Sequence, residues 1–249
     1  MGRARVQRWG LWLLAWFAGG LSAAEPDWRL RLDLGSVWQT RNEVAIPGDT
    51  GTRFSVKQVT GAGPFPFARF EAAYRPAERH AVRLLVAPLT IQRSGRLNRD
   101  VFFVDRTFTA GDVEATYRFD SYRLTYRYRV YAAERSALWL GFTGKIRDAE
   151  VALRQSGAVA RDTNVGFVPL LHAYWTYRLG PRSRLVGDVD ALGAPQGRAI
   201  DAGLRLDYAL SPRWSAGLGY RTLEGGADND SVYSFAWLHY AVVAVGYRF

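Results

Sequence analysis

The sequence has 249 residues, of which 48% are hydrophobic and 22% charged, with a net charge of +10 and no cysteine. The lack of cysteine excludes a disulfide framework, and the lack of a long apolar run beyond the amino terminus excludes a helical membrane protein. The arginines alternate along the chain instead of forming a patch, so we do not expect nucleic acid as a partner.

The amino terminus has the three parts of a secretory signal peptide. Three arginines precede the apolar run LWLLAWFAGGL, and the small residues SAA follow it at 22–24. The apolar run is shorter than the roughly 18 residues that a membrane-spanning helix needs. We therefore predict a signal peptide at 1–24 and a single exported domain at 25–249.

The remaining chain alternates apolar and polar residues with the period of two that is typical of β-strands. In the first such segment, Trp28, Leu30 and Leu32 share one face while Arg29 and Asp33 lie on the other. Ten segments of this kind are predicted, and the pattern also allows eight or twelve. They are 28–39, 65–76, 79–91, 111–131, 137–155, 164–180, 184–193, 198–210, 214–224 and 233–249.

Two kinds of connection separate these segments. Four short ones begin with a tyrosine, at Tyr74, Tyr131, Tyr177 and Tyr208, followed by a tight turn that carries arginine. Short turns on one side and longer loops on the other are typical of transmembrane β-barrels, with tyrosine at the membrane interface. The longer connections are predicted at 40–64, 92–110, 156–163, 193–197 and 225–230, and the first of them reads as an ordered lid.

The last segment ends on the aromatic Phe249. A terminal strand has an unpaired edge unless the sheet closes on itself. This ending resembles the C-terminal signature of bacterial outer-membrane β-barrels. The resemblance implies an all-β, closed antiparallel up-and-down barrel in the outer membrane of a Gram-negative bacterium, with both termini periplasmic. It also implies that the barrel assembly machinery recognises the strand ending at Phe249.

One predicted hairpin is longer than the others. Segments 113–131 and 137–155 each exceed the roughly 9–11 residues that cross a bilayer. We therefore predict that the hairpin 113–155 protrudes on the extracellular side. Its far end carries Asp148, Glu150 and Arg154 at alternate positions, so we expect that end to lie in water.

Three stretches carry a further resemblance. They are RNEVAIPGDTGTRF at 41–54, LGAPQGRA at 192–199 and RTLEGGADND at 221–230. Together they resemble an uncharacterised proteobacterial outer-membrane barrel family. The resemblance implies the fold and the location, and it carries no activity.

If the apolar faces point to lipid, the charged faces line the lumen. A lumen of ten strands is narrow, so long arginines should reach the aspartates across it. We therefore favour a non-enzymatic barrel with a narrow, charge-lined lumen and ordered extracellular loops. The alternative is a small, porin-like pore that prefers anions. The predicted lumen charge network is Arg123, Arg127, Arg129, Lys145, Arg147, Asp188, Asp190, Asp201, Arg205 and Asp207.

A second alternative is a surface hydrolase. Folding about the turn at Gly180 to Arg182 sets His172 opposite or diagonal to Asp190, and Asp201 is then expected beside Asp190. These three candidate catalytic residues resemble the His-Asp and Asp-Asp pairs of the omptin proteases, and lipid A-modifying barrels are the related possibility. The omptin Asp-x-His step is missing around His172. An enzyme is therefore not the favoured interpretation.

Neither a metal nor a cofactor is predicted. The three histidines fall on different segments, and the loop 225–230 has the composition of a tight turn as well as of a Ca²⁺ site. The anionic partner expected at an outer-membrane surface is lipopolysaccharide, whose phosphates could meet loop arginines. Those arginines are Arg41, Arg53, Arg93, Arg96 and Arg99.

Overall fold

The computed structural model describes residues 27–195 and 197–249, and the predicted signal peptide lies outside them. None of the helices in this part of the chain has the length and apolar character needed to cross a membrane. The elements are β1 (Asp27–Ala45), β2 (Phe54–Ser55), α1 (Val56–Thr60), β3 (Phe65–Ala77), β4 (His80–Ala87), β5 (Thr90–Leu97), β6 (Val101–Phe103), β7 (Arg106–Phe108), β8 (Gly111–Ala132), β9 (Ser136–Gln155), β10 (Ala158–Arg178), β11 (Ser183–Ala194), β12 (Gly197–Ala209), β13 (Trp214–Asp228) and β14 (Tyr233–Arg248).

The sheet closes because β14 pairs with β1 in an antiparallel register. The wall has ten positions, since β4 and β5 pair in succession with β8, while β2, β6 and β7 are short additions. The predicted ten-stranded, up-and-down antiparallel barrel is therefore confirmed. Where β1 pairs with β14, Gly35 has φ of +148°. A Cβ at this residue would lie 2.0 Å from the carbonyl oxygen of Ala241, so no side chain fits.

The outer face of the wall is apolar, as predicted. Leu218 and Phe142 are 66% and 67% exposed, and Leu204 and Val245 are also exposed. An apolar surface that surrounds the whole barrel is stable only in contact with hydrocarbon. Exposed aromatic side chains gather near one end of the wall, namely Trp28, Tyr131, Tyr208, Trp214 and Phe249.

That end of the barrel, which we call the turn end, holds the four short connections. They follow β3, β8, β10 and β12. Both ends of the described chain are also here, since the backbone N–H of Phe249 donates to the carbonyl of Trp28 at 3.1 Å. The opposite end, which we call the loop end, carries the long connections.

Two predicted loops proved to be strands. β9 and β10 are joined by Ser156 and Gly157, with φ of 49° and 83°. Two positive φ values define a type I′ hairpin turn, so β10 starts at Ala158 and the predicted loop at 156–163 is wrong. Similarly, 90–97 forms β5, which pairs with β8. The long predicted hairpin is thus the centre of a four-stranded extension, β5-β8-β9-β10.

The outer face of this extension changes from apolar to charged along β9. Ile146 is exposed, whereas the next outward residue, Asp148, accepts a hydrogen bond from Arg118 at 2.8 Å. A ladder of charges belongs in water, so the hydrocarbon border lies near Asp148. The register places Val165 of β10 opposite Asp148, and the border on β10 is therefore near Val165.

The loop-end half of the lumen holds an apolar core, although the sequence had predicted charge throughout. Two segments enter it: residues 46–64, with β2 and α1, and the β6–β7 hairpin at 101–108. We call these two segments the plug. Phe54, Val56 and Phe103 of the plug are at most 7% exposed. They belong to one buried cluster with inward residues of the wall, including Val37, Tyr117, Leu153, Leu223, Leu238 and Val242.

Buried hydrogen bonds fix the plug to the wall. Gln39 of β1, only 1% exposed, donates to Thr60 Oγ1 at 2.7 Å and to the carbonyl of Gly61 at 2.6 Å. The two plug segments are joined by the backbone N–H of Val104, which donates to the carbonyl of Ile46 at 2.8 Å. Because buried polar groups are costly when unpaired, these bonds define one position for the plug.

Candidate functional site: the charged lumen

Below the plug, a layer of buried polar groups crosses the lumen, and we call it the charge layer. It draws on β1, β3, β4, β8, β9, β10, β11, β12 and β13, so β14 is the only one of the ten wall positions described that contributes nothing to it. Its members are Arg31, Asp33, Arg69, Glu71, Arg83, Arg123, Thr143, His172, Asp188, Asp190, Asp201 and Arg221.

Asp190 is the hub of the charge layer. One carboxylate oxygen accepts hydrogen bonds from Arg83 at 2.8 Å and Arg123 at 2.9 Å. The other accepts from Thr143 at 2.7 Å and lies 2.7 Å from Nδ1 of His172. Asp190 is 1% exposed, so four side chains from four strands replace the water that its charge would otherwise hold.

Arg221 links two further aspartates of the charge layer, Asp188 and Asp201. Its Nη2 donates to both oxygens of Asp188, at 2.7 and 2.8 Å, and its Nη1 donates to Asp201. Arg123 joins this group to Asp190, because its Nη2 lies 2.6 Å from Asp201. The bidentate geometry of guanidinium and carboxylate suits arginine and would not suit lysine.

The layer continues to β1 and β3. Arg31 donates to Asp33 and to Glu71, each at 2.9 Å. Glycine makes room for the ion pairs, since a Cβ at Gly203 would lie 2.7 Å from Nη2 of Arg221. Five arginines and five carboxylates therefore cross the lumen at this level.

The predicted network residues do not all lie at this level. Arg123, Asp188, Asp190 and Asp201 belong to the charge layer. Arg127, Arg205 and Asp207 lie toward the turn end, where Arg129 is bonded to Glu78 at the rim. Lys145 and Arg147 lie on the loop side.

Sequence reasoning missed Arg83 and Arg221. Each is the only charge on the inward face of its segment of wall, between Ala81 and Leu85 or between Gly219 and Leu223. The signal available was an isolated arginine among apolar and glycine residues on one face of a strand. Such a residue needs a buried carboxylate partner on another strand.

His172 and the two aspartates are brought together, but inside the charge layer. β10 and β11 pair His172 with Asp190, and β11 and β12 pair Asp190 with Asp201. His172 is 2% exposed, and its Nε2 has no hydrogen-bond partner among the described residues. A general base must reach the proton of a substrate, and this imidazole faces packed protein.

A cavity of about 460 Å³ opens below the charge layer at the turn end. Its lining includes Arg29, Arg127, Arg178, Arg182, Arg184, Arg205, Arg213 and Arg248, against the carboxylates Glu71 and Asp207. The guanidinium of Arg127 lies 3.9 Å above the ring of Tyr174, and no carboxylate of the described chain lies within 4.0 Å of it. The turn-end cavity is therefore strongly basic.

A second cavity, of about 310 Å³, lies on the loop side of the charge layer. It is lined by residues of β8 to β14, and the ammonium of Lys145 lies 4.7 Å from the ring of Phe119 beside it. Arg147 also lines this cavity and donates to Asn164. We call it the loop-end cavity.

No family model and no curated protein matches this sequence. Among solved structures, the outer membrane protease OmpT from Escherichia coli is similar, with a TM-score of 0.54 at 9% identity over 92% of this chain and 100% of OmpT. The outer membrane protein AlkL in lipid bilayers gives 0.40 at 15% identity over 100% and 97% of the two chains. Ail of Yersinia pestis gives 0.39 at 10% identity over 89% and 99%. At 9% identity the similarity to OmpT shows the fold alone, which is that of bacterial outer-membrane β-barrels.

Proposed function

We propose that this chain is a non-enzymatic outer-membrane barrel that does not conduct ions and that acts by binding at the membrane. The charge layer carries this proposal, because buried ion pairs and hydrogen bonds that draw on nine of the ten wall positions cross the lumen. The plug fills part of the lumen on the loop side of them. A permeating ion would have to separate buried pairs, each of which costs several kcal/mol to break.

The closed lumen predicts silence in planar bilayers. We expect the purified barrel, inserted into bilayers in 1 M KCl, to show no discrete current steps at any applied voltage. Insertion is verified by flotation of the same protein with liposomes. Reproducible current steps from the wild-type protein would refute the closed lumen.

The second candidate is a small anion-preferring pore. The basic turn-end cavity favours it, with Arg127 as a cation that no carboxylate of the described chain neutralises within 4.0 Å. If current steps do occur, this candidate requires chloride selectivity that shifts toward cations in Arg127→Glu. Unchanged selectivity in that variant would reject it.

OmpT, which has a similar fold, is named a protease. In this chain, however, the geometry supports a structural role for the candidate catalytic residues His172, Asp190 and Asp201. Asp190 and Asp201 are both neutralised by arginine, and His172 is buried against Asp190. Carboxylates held in this way have no free position at which to bind a nucleophilic water. The three residues therefore act as part of the closure of the lumen.

We also propose that the loop end faces the cell exterior, where its arginines contact the phosphates of lipopolysaccharide. Arg53, Arg93, Arg96 and Arg99 are exposed at this end, and no carboxylate of the described chain lies within 4.0 Å of any of them. The fifth predicted arginine, Arg41, is paired with Glu43 at 2.9 Å. The unpaired four are the ones available to an anionic headgroup.

Charge reversal at these arginines tests both the partner and the orientation. We expect Arg53→Glu with Arg99→Glu to lower the amount of lipopolysaccharide that copurifies with the barrel, as measured by mass spectrometry. The matched control is Arg135→Glu with Arg213→Glu in exposed turns at the other end. Lipopolysaccharide lies in the outer leaflet alone, so a loss confined to the turn-end control would reverse the proposed orientation. Equal retention in all three proteins would refute the contact.

A further inference from the structure

The loop-end cavity has apolar walls and a charged floor. Val168, Leu170 and Leu192 line it from β10 and β11. On the opposite side it meets Leu223 of the buried apolar cluster. Its floor is the charge layer. This combination matches an amphiphile with an apolar body and a polar head.

Lys145 is the buried cation of this cavity that lacks a carboxylate partner, whereas Arg147, which also lines it, is more exposed and donates to Asn164. Lys145 is 4% exposed, and within the described ranges its ammonium has no carboxylate oxygen within 4.0 Å and no hydrogen-bond partner. The aromatic face of Phe119, 4.7 Å away, and the more distant charges of Asp201 and Asp190 compensate it only in part. Arg123, beside it on β8, is by contrast paired with two aspartates. A buried cation without an anion is costly, and a bound monoanion would remove that cost.

Beside the same cavity, the pairing between β10 and β11 ends before either strand does. β10 pairs with β11 only from Leu171 to Arg178, whereas it pairs with β9 as far as Ala158. β11 continues beyond this point and pairs only with β12, up to Ala194. A seam therefore opens between residues 165–170 of β10 and residues 192–194 of β11.

The seam lies at the level of hydrocarbon. Val165 and Phe167 point outward from the unpaired part of β10 and are 70% and 67% exposed. The charged border of the neighbouring strand begins only at Asp148, opposite Val165. Backbone without a partner is tolerated at membrane depth where it lines a cavity, and Val168, Leu170, Leu192 and Ala194 of the seam line this one.

We propose that the loop-end cavity binds a medium-chain aliphatic carboxylate, which enters from the membrane through the seam between β10 and β11 and pairs its headgroup with Lys145. This inference rests on the proposed role in binding and names the ligand class. A monoanion matches the single unpaired ammonium. The cavity, of about 310 Å³, is at the small end of the size range of small-molecule sites, which suits a chain of medium length.

Decanoate is the probe that tests the site. Radiolabelled decanoate is equilibrated with the barrel in phosphatidylcholine nanodiscs, and the signal of empty nanodiscs is subtracted. We expect saturable binding to the wild type and a loss of affinity of about tenfold or more in Lys145→Met, because a charge-assisted contact disappears. 1-Decanol, which lacks the anion, should bind the wild type and Lys145→Met equally.

Two controls locate the effect. Arg127→Met removes the buried, unpaired cation of the turn-end cavity and should leave decanoate binding unchanged. Leu192→Trp fills the seam and should slow binding from the membrane. Equal decanoate affinity in the wild type and Lys145→Met would overturn the proposal, as would an equal loss in Arg127→Met. Conductance is measured separately. A barrel that conducts and still binds decanoate through Lys145 would refute the closed lumen and would leave the proposed carboxylate site in place.

Discussion

Replacing Asp190 with asparagine is expected to lower the free energy of unfolding by about 3–5 kcal/mol, the usual cost of breaking a buried ion pair by removing one partner. The asparagine side chain would keep the shape of the aspartate and lose its charge. Arg83 and Arg123 would then share a neutral amide in place of a carboxylate that lies 2.8 and 2.9 Å from them. The size of the effect follows from burial, since both arginines are at most 2% exposed and water cannot replace the lost charge.

The measurement is urea or guanidinium unfolding of the barrel in detergent micelles, followed by tryptophan fluorescence. The matched control is Asp105→Asn, which also removes an arginine-bound aspartate, at 3.0 Å from Arg106, but in an exposed hairpin of the loop end. Exposed ion pairs contribute little, so we expect no measurable shift in the control. Equal midpoints for the wild type and Asp190→Asn would show that the charge layer does not stabilise the barrel.

The wall of this barrel could be predicted from the sequence because one periodicity determines it. Alternation assigns Leu30 and Leu32 to one face and Arg31 and Asp33 to the other, and the need for closure then points the apolar face outward. The tight turns were equally visible, since each begins after a tyrosine and carries arginine. These features depend on neighbouring residues alone.

The contents of the lumen could not be predicted in the same way. A period of two tells which residues share a face, but it does not tell whether that face meets water, ions or another segment. Val37 and Val242 face inward by alternation, but they are buried among apolar residues because the plug enters the lumen, which depends on contacts distant in sequence. The hub at Asp190 depends on four strands at once. The sequence also does not predict where the pairing of β10 with β11 ends. It predicts a loop at 156–163, whereas the structure has a two-residue turn and β10 begins at Ala158.

The outward orientation of the apolar face predicts a penalty that depends on depth. Leu218→Arg is expected to lower the free energy of unfolding by about 2–4 kcal/mol, because arginine on the lipid face near the middle of the bilayer loses its hydration. Leu218 is 66% exposed on β13, and the register sets it between Leu206 and Val243, which are exposed as well.

The chain offers a control of the same residue type and nearly the same exposure. Leu210 is 60% exposed, but it lies in the turn between β12 and β13, where its N–H donates to the carbonyl of Trp214 at 2.9 Å. Near the interface the cost of arginine falls to about 0–1 kcal/mol, so Leu210→Arg should unfold close to the wild type. Both variants are unfolded by denaturant in the same phospholipid vesicles. Equal stability of the two would mean that Leu218 does not lie deeper in hydrocarbon than Leu210, and the membrane-spanning arrangement of the wall would then be wrong.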